Sequence, residues 1–415
     1  MPSSRLLTNR ARALCTTRRA VLLSGAGWLL TGCAGGGFGG GGDQQQSSLE
    51  ASQTQTATAS TLSGAAVKVG LLLPFGKGGE AGQIAAALKQ AAELALFDVN
   101  GANIALVPKD TGGTVQGAAT AAREAIAAGA ELIIGPLFAQ EVQGVAPVAQ
   151  QANVPVVAFS NDRTVAGNGV YLLSFLAGDD VTRVVAFAGS SGRRSFAALL
   201  PQTPYGAVVE RSFRAAVAKA GGRVADVEHF TVEAAAVAEP INRLKSAIAS
   251  AKTAGSPIDA LLLAGGQDTL PIIAPMLPYS AIDTKSVKLL GTGGWDYAAV
   301  TKEAGLVGGW FAGPDPAGWK DFADRYAKSY GAAPVRLASL GYDAVTLALA
   351  LAANPPGQRF TPDKLTRASG FAGVDGLFRL RPDGTCERGL AILEVAQFGT
   401  QVVDPAPSAF SLAQF

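Results

Sequence analysis

Histidine is almost missing from this chain: His229 is the only one among 415 residues. Metal chemistry built on clustered imidazoles is therefore excluded, and a Ser-His-Asp triad would have to run through that one residue. His229 lies in the alternating stretch 223–230, which reads as a strand. No G-x-S-x-G elbow accompanies it; Gly189-Ser190-Ser191-Gly192 has the wrong pattern. Cysteine is scarce too, with Cys15, Cys33 and Cys386 spread so that Cys386 has no partner in the body of the chain. Charge is thin, at 16% of residues. Without the five arginines that precede Cys33, 29 basic residues face 32 acidic ones, a balance that offers nucleic acid no electrostatic footing. A complete phosphate loop is also absent. The spacing from Gly70 to Gly76 is one residue too long, and Lys77 is followed by Gly78 where a Ser or Thr should meet magnesium. Gly112-Gly113 completes no G-x-G-x-x-G. These absences predict a protein that is not an enzyme and carries no cofactor or metal.

What is present begins at the N-terminus. Arg5, Arg10, Arg12, Arg18 and Arg19 precede an apolar run at 20–30, and no acid occurs before Cys33. The run is far short of the ~20 apolar residues a membrane span needs. It reads as the charged and hydrophobic regions of a secretion signal, residues 1–32. The end of that signal, Leu30-Thr31-Gly32-Cys33, resembles a bacterial lipobox. The resemblance implies a diacylglycerol on the Cys33 thiol and cleavage just before it. Thr17-Arg18-Arg19-Ala20-Val21-Leu22 is similar to a twin-arginine signal with a loose match at Ala20-Val21, so the export route stays open. Residues 33–65 are glycine-rich and then Gln/Ser/Thr/Ala-rich, without the apolar periodicity that builds a core. They read as a flexible tether with an r.m.s. reach of about 30 Å.

From Val67 the pattern changes to short apolar runs alternating with helical periodicity. Strands are expected at 67–73, 104–107, 131–135, 154–159, 171–175, 196–200, 223–231, 260–263 and 287–290. Helices are expected at 84–99, 118–128, 142–152, 180–188, 205–219, 241–251, 270–276 and 322–330. Such alternation predicts parallel sheets with helices on both faces and right-handed connections. Roughly ten strands exceed one comfortable sheet, so two α/β lobes are expected. Near the end the pattern departs: 376–380 and 390–395 flank Arg381-Pro382-Asp383-Gly384 and read as an antiparallel hairpin. Residues 399–415 read as a loose tail.

The order of these segments resembles one known family. Residues 67–100, with Leu73-Pro74, a glycine-rich loop and a helix ending Phe97-Asp98-Val99-Asn100, look like the start of the type I periplasmic binding proteins, the Leu/Ile/Val-type substrate-binding lipoproteins of ABC transporters. Ile133-Ile134-Gly135-Pro136-Leu137, Val154-Pro155-Val156-Val157-Ala158-Phe159-Ser160, Tyr205-Gly206 and Ser339-Leu340-Gly341-Tyr342-Asp343-Ala344 follow in the family's order. The resemblance implies an α/β fold of two doubly wound parallel-sheet lobes with a ligand cleft between them. Lobe 1 is expected at 66–177 and 309–372, and lobe 2 at 178–308 and 373–398. Ligands of such sheets bind beyond the carboxyl ends of the strands. The expected cleft residues are therefore Phe75, Gly76, Phe138, Ser160, Asn161, Tyr205, Gln267, Asp268, Trp295 and Asp296. Asp268 or Asp296 could meet an ammonium group, and Trp295 or Tyr205 could stack on a side chain or cation.

One departure bears on the ligand. Relatives that bind amino acids hold the ligand carboxylate with hydroxyls and backbone N–H groups after the third and fourth strands. Here the first of those loops reads Phe138-Ala139-Gln140-Glu141, without a hydroxyl and with an acid; only Ser160 remains. Two functions follow from the resemblance. One is a periplasmic, lipid-anchored solute-binding protein that closes on a small polar or amino-acid-like ligand and delivers it to an ABC transporter permease. The other is a penicillin-binding-protein activator that contacts a peptidoglycan synthase, since 308–316, Tyr326, Tyr330-Gly331 and Arg336-Leu337-Ala338 are similar to that branch. In both the membrane is reached through the lipid anchor alone, at the inner or the outer membrane.

Overall fold

The computed structural model describes residues 66–99, 103–231, 234–280 and 282–410. The expected signal sequence, Cys33 and the expected tether lie outside the described residues, as do 411–415 of the expected tail. The first strand, β1 (Val67–Leu73), is apolar except at Lys68 and Gly70, and only Lys68 is exposed. Such a run needs both of its faces covered. It is followed by α1 (Gly79–Asp98), β2 (Ile104–Asp110), α2 (Val115–Ala127), β3 (Leu132–Ile134), α3 (Ala139–Gln151), β4 (Val156–Ala158) and β5 (Val170–Leu172). These strands form one parallel sheet in the order β2-β1-β3-β4-β5.

The chain then crosses to a second lobe. There α4 (Asp179–Ser190), β6 (Ser195–Pro201), α5 (Pro204–Lys219), β7 (Arg223–Phe230), α6 (Ala234–Thr253), β8 (Ala260–Leu263), α7 (Leu270–Ile273), α8 (Met276–Tyr279), β9 (Lys288–Gly291) and β10 (Trp310–Gly313) repeat the plan. The parallel strands stand in the order β10-β9-β8-β6-β7, which is the order of the first sheet repeated. Both sheets therefore reverse winding beside their first strand, where an open crevice forms beyond the strand ends.

The chain next returns to the first lobe with α9 (Pro316–Tyr330), α10 (Ala338–Ala352), α11 (Pro362–Leu365), β11 (Phe371–Gly373), β12 (Gly376–Leu380) and β13 (Cys386–Arg388). A third crossing adds β14 (Ala391–Val395), antiparallel to β10, and then β15 (Thr400–Asp404), antiparallel to β14, at the edge of the second sheet. The core of the first lobe joins Val69, Leu71 and Ile133 to Leu340, Ala344, Phe378 and the buried thiol of Cys386. Burial pushes that thiol up to about 11, so it stays protonated and inert.

Several sequence expectations are corrected. Residues 309–313 go with the second lobe, because β10 pairs with β9 and β14. Residues 373–388 go with the first, because Phe378 and Leu380 enter its core. The Pro-Asp-Gly turn joins β12 to β13 rather than to β14. The helix expected over 270–276 is split: Pro275 cannot donate to the turn before it, and the chain makes two single turns instead. The stretch 400–404 is a strand rather than a loose tail; Val402 and Val403 stay exposed, so no buried face marked it.

Candidate functional site

A cavity of about 500 Å³ lies where the lobes meet. The ends of the second lobe's strands build one wall. Pro201 ends β6, and Thr203 and Tyr205 follow it; Gly265, Gly266 and Asp268 follow β8. The turn after β6 is shaped by its own residues. Thr203 caps α5 by accepting from the Gly206 N–H at 3.2 Å, and Pro204 opens the helix, where its missing N–H costs nothing. All three crossovers contribute to the rest of the lining, through Ser174 to Ala177, Ala312 to Pro314, and Arg388 with Leu390. An occupant would thus touch both lobes and the hinge together.

The wall from the second lobe is acidic. Asp179 and Asp180 form the first turn of α4, where carboxylates suit the positive end of a helix. Asp180 accepts from the backbone N–H groups of Gly178, Val181 and Gly293, the last at 2.6 Å. Asp179 pairs with Arg163 at 3.0 Å; burial pushes its carboxyl up, while Arg163 and Arg381 pull it down. Asp296 is also raised by loss of water around it, against the pull of Arg336. Tyr205 donates to Thr292 Oγ1 at 3.0 Å. Desolvation and the neighbouring Asp180 push its phenol up to about 12, so it remains a neutral hydrogen-bonding group.

The opposite side carries two arginines. Arg336 holds Asp375 at 2.7 Å and lies 3.6 Å from Asp296. Its guanidinium sits over Trp319 and Phe175, at 4.4 and 5.2 Å from the ring centres. Arg388 packs on the other side of this region, 4.4 Å from the Phe175 ring centre and 3.5 Å from Asp343. Phe175, in the first crossover, is therefore engaged by two guanidinium groups, Arg336 from the loop between α9 and α10 and Arg388 from the end of β13. Cations on aromatic faces of this kind contribute about 0.5–2 kcal/mol each.

Of the residues expected in the cleft, Asn161, Tyr205, Asp268 and Asp296 line this cavity. The others sit elsewhere. Trp295 is fully buried beneath β9, and its indole N–H donates to Leu263 O at 3.1 Å. A Cβ at Gly291 would lie 2.2 Å from that ring, so the glycine makes room for the indole. Phe75 packs against the first lobe's core, and the Gly76 N–H donates to Asp110 at 3.0 Å. Phe138 lies under Lys77, and Gln267 is an exposed neighbour of the lining. Ser160 is buried, and its hydroxyl accepts from the Asp162 N–H at 3.2 Å. Sequence reasoning missed Asp180, Arg336 and Arg388 as lining residues. Asp180 could have been found from its place in the first turn after a crossover; the arginines carried no comparable signal.

His229 lies on β7 at the sheet edge and faces Glu210 at 2.9 Å, exposed and remote from the lining. Among the described residues no cluster of His, Cys, Asp and Glu could hold a metal ion. No described helix is long and apolar enough to cross a membrane.

Solved structures repeat the architecture. A Rhodospirillum rubrum protein assigned to branched-chain amino acid ABC transport superposes with a TM-score of 0.70 at 19% identity, covering 81% of this chain and all of its own. A Rhodopseudomonas palustris solute-binding protein in complex with 3,4-dihydroxybenzoic acid gives 0.55 at 18%, over 83% and 99% of the two chains. A Streptococcus pneumoniae branched-chain amino acid transporter protein in complex with isoleucine gives 0.53 at 19%, over 82% and 100%. No curated protein matches the chain. The family model described as periplasmic binding protein matches residues 66–400, both lobes and all three crossovers, and the chain belongs to that family.

Proposed function

We propose that this is a solute-binding protein of the Leu/Ile/Val type, held at a membrane surface in the periplasm by lipid on Cys33 and serving uptake through an ABC transporter. It works by binding, not by catalysis. The observation that carries this is the cavity itself: both lobes and every crossover line it, so a small molecule inside touches the parts that move and the parts that bend. A ligand that contacts both lobes binds the closed arrangement better than the open one, and that difference drives closure. The acidic wall and the paired arginines suit a small polar or amino-acid-like solute. The neighbours' complexes with isoleucine and 3,4-dihydroxybenzoic acid are of that size and polarity.

The alternative, activation of a peptidoglycan synthase, gains nothing from the residues that suggested it. Residues 310–313 are β10, Tyr326 is buried, and Tyr330 donates to Gln90 O at 2.8 Å; all have structural employment. The test is thermal unfolding of residues 64–415 with amino acids, small aromatic acids, peptides and cell-wall fragments. A ligand at 100 times its Kd should add about 2.7 kcal/mol to stability. A rise with one class of small solute is expected. A folded protein with no response to the small solutes overturns the reading and directs the search to a protein partner.

A further inference from the structure

We propose that the first lobe carries a second ligand site, remote from the cleft, that takes a neutral saccharide. A cavity of about 610 Å³ opens there, larger than the one between the lobes. Ligand sites commonly fall between about 300 and 1,000 Å³. Its lining comes largely from residues that lead into strands: Ala130 and Glu131 before β3, Val154 and Pro155 before β4, Asn168 and Gly169 before β5. The cleft lies beyond the other ends of the same strands, with Asn161 after β4 and Ser174 after β5. The length of the sheet therefore separates the two cavities.

A charged ligand would find no counter-charge here. The described lining holds one acid and one base, and they engage each other: Arg359 Nη1 donates to both Glu131 oxygens at 2.6 and 2.9 Å, and Nε donates to Ala352 O at 3.1 Å. A charge brought in would lose its water without compensation. The groups left over are neutral. Tyr171 is only 5% exposed, yet its hydroxyl has no hydrogen-bond partner among the described residues and is not enclosed by them. Burial pushes the phenol up, so it stays a donor. A buried tyrosine hydroxyl normally finds a partner, and a ligand in the cavity would supply one. The amides of Gln150, Asn153 and Asn168 are likewise unengaged among the described residues. The backbone fixes two of them: Asn153 (φ 53°) follows α3, and Asn168 (φ 50°) turns the chain into β5, where the Val170 N–H donates to Gly167 O at 2.9 Å. Each amide both donates and accepts, as does each hydroxyl of a sugar, and Arg359 Nη2 adds a donor. Ala146 and Ala149 supply apolar surface for the C–H faces of a sugar ring. A purely apolar ligand would leave the amides and the hydroxyl unmet.

The experiment is calorimetric titration of residues 64–415 with maltose, cellobiose and chitobiose, each beside its hexamer. At least one of these sugars should bind at millimolar concentration or below. Tyr171→Phe, which removes only an unbonded hydroxyl, should keep the unfolding midpoint and weaken that sugar about three- to tenfold. Asn168→Gly, which keeps the left-handed turn, should weaken it too, and it serves if the Tyr171 variant fails to fold. Tyr205→Phe, in the cleft, should leave the sugar's affinity unchanged. A hexamer that binds tighter than its dimer identifies a polymer as the source of the saccharide; equal binding identifies a free sugar. No binding by any of the six overturns the inference. So does a sugar that both folded variants bind unchanged, or one that is lost with Tyr205→Phe. The cleft is tested separately by its own solutes, so the solute-binding reading survives each of these results.

Discussion

Asp343 shows how much one side chain can carry. It is wholly buried at the start of α10, and its Oδ1 accepts from the Val374 N–H at 2.6 Å. Burial raises its proton affinity above that of an ordinary carboxyl, with Arg388 opposing and Asp375 adding to the rise. The folded state therefore holds a proton that the unfolded chain has already released. Above the unfolded pKa, stability from this group falls as pH rises, until the folded pKa is passed. Asp343→Asn should flatten that decline in urea unfolding measured from pH 4 upward; an unchanged slope would place its origin elsewhere. At this scale the sequence was readable where a residue follows a strand of a doubly wound sheet. That rule found Tyr205, Asp268 and Asp296. It misplaced Trp295, whose large apolar ring gains more from the core below β9 than from the cavity. It could not find Arg336 or Arg388, because a loop between two helices and the end of a hairpin reach the cavity only through the way the chain recrosses.

Among the elements, α1 and α10 depend on close approach. A Cβ at Gly341 would stand 2.3 Å from Leu88 O, a backbone atom that cannot swing aside. Alanines at 85, 92, 95 and 344 keep the rest of this seam thin. Gly341→Ala should therefore destabilise the protein by about 1–3 kcal/mol, read as a lower urea midpoint, although alanine is the better helix former. A neutral result would mean that the two helices can separate without loss. The parallel strands were legible because burial on both faces leaves continuous apolar runs, as in β1, β6 and β8. Of the antiparallel pieces, β12 and β14 were legible as strands but the others were not. β11 and β13 have three residues each, too few to show a period, and β15 is exposed along most of its length.

For the molecule as a whole, the two lobes and their cleft followed from alternation and family resemblance, while the places where the chain crosses did not. Short strands such as β10, with one residue of aromatic and glycine character after another, give no local hint of which sheet will take them. The crossovers are also where motion is expected, since each spans only a few residues between packed bodies. Small-angle scattering of residues 64–415 should show a smaller radius of gyration once the tightest-binding solute is added. An unchanged radius would mean that the cavity fills without movement of the lobes.

The recrossing of the chain also dictates an order of assembly. The first sheet is complete at Leu172, yet its core is closed by Leu340, Ala344 and finally Phe378, Leu380 and Cys386. At about 5–20 residues per second, a ribosome needs roughly 10–40 s to travel from Leu172 to Cys386. For that interval the earliest half-lobe has an apolar face with nothing to cover it, and the later lobe gets most of its sheet first. Shortening the chain from its C-terminus past residue 386 should accordingly injure the lobe that was made first.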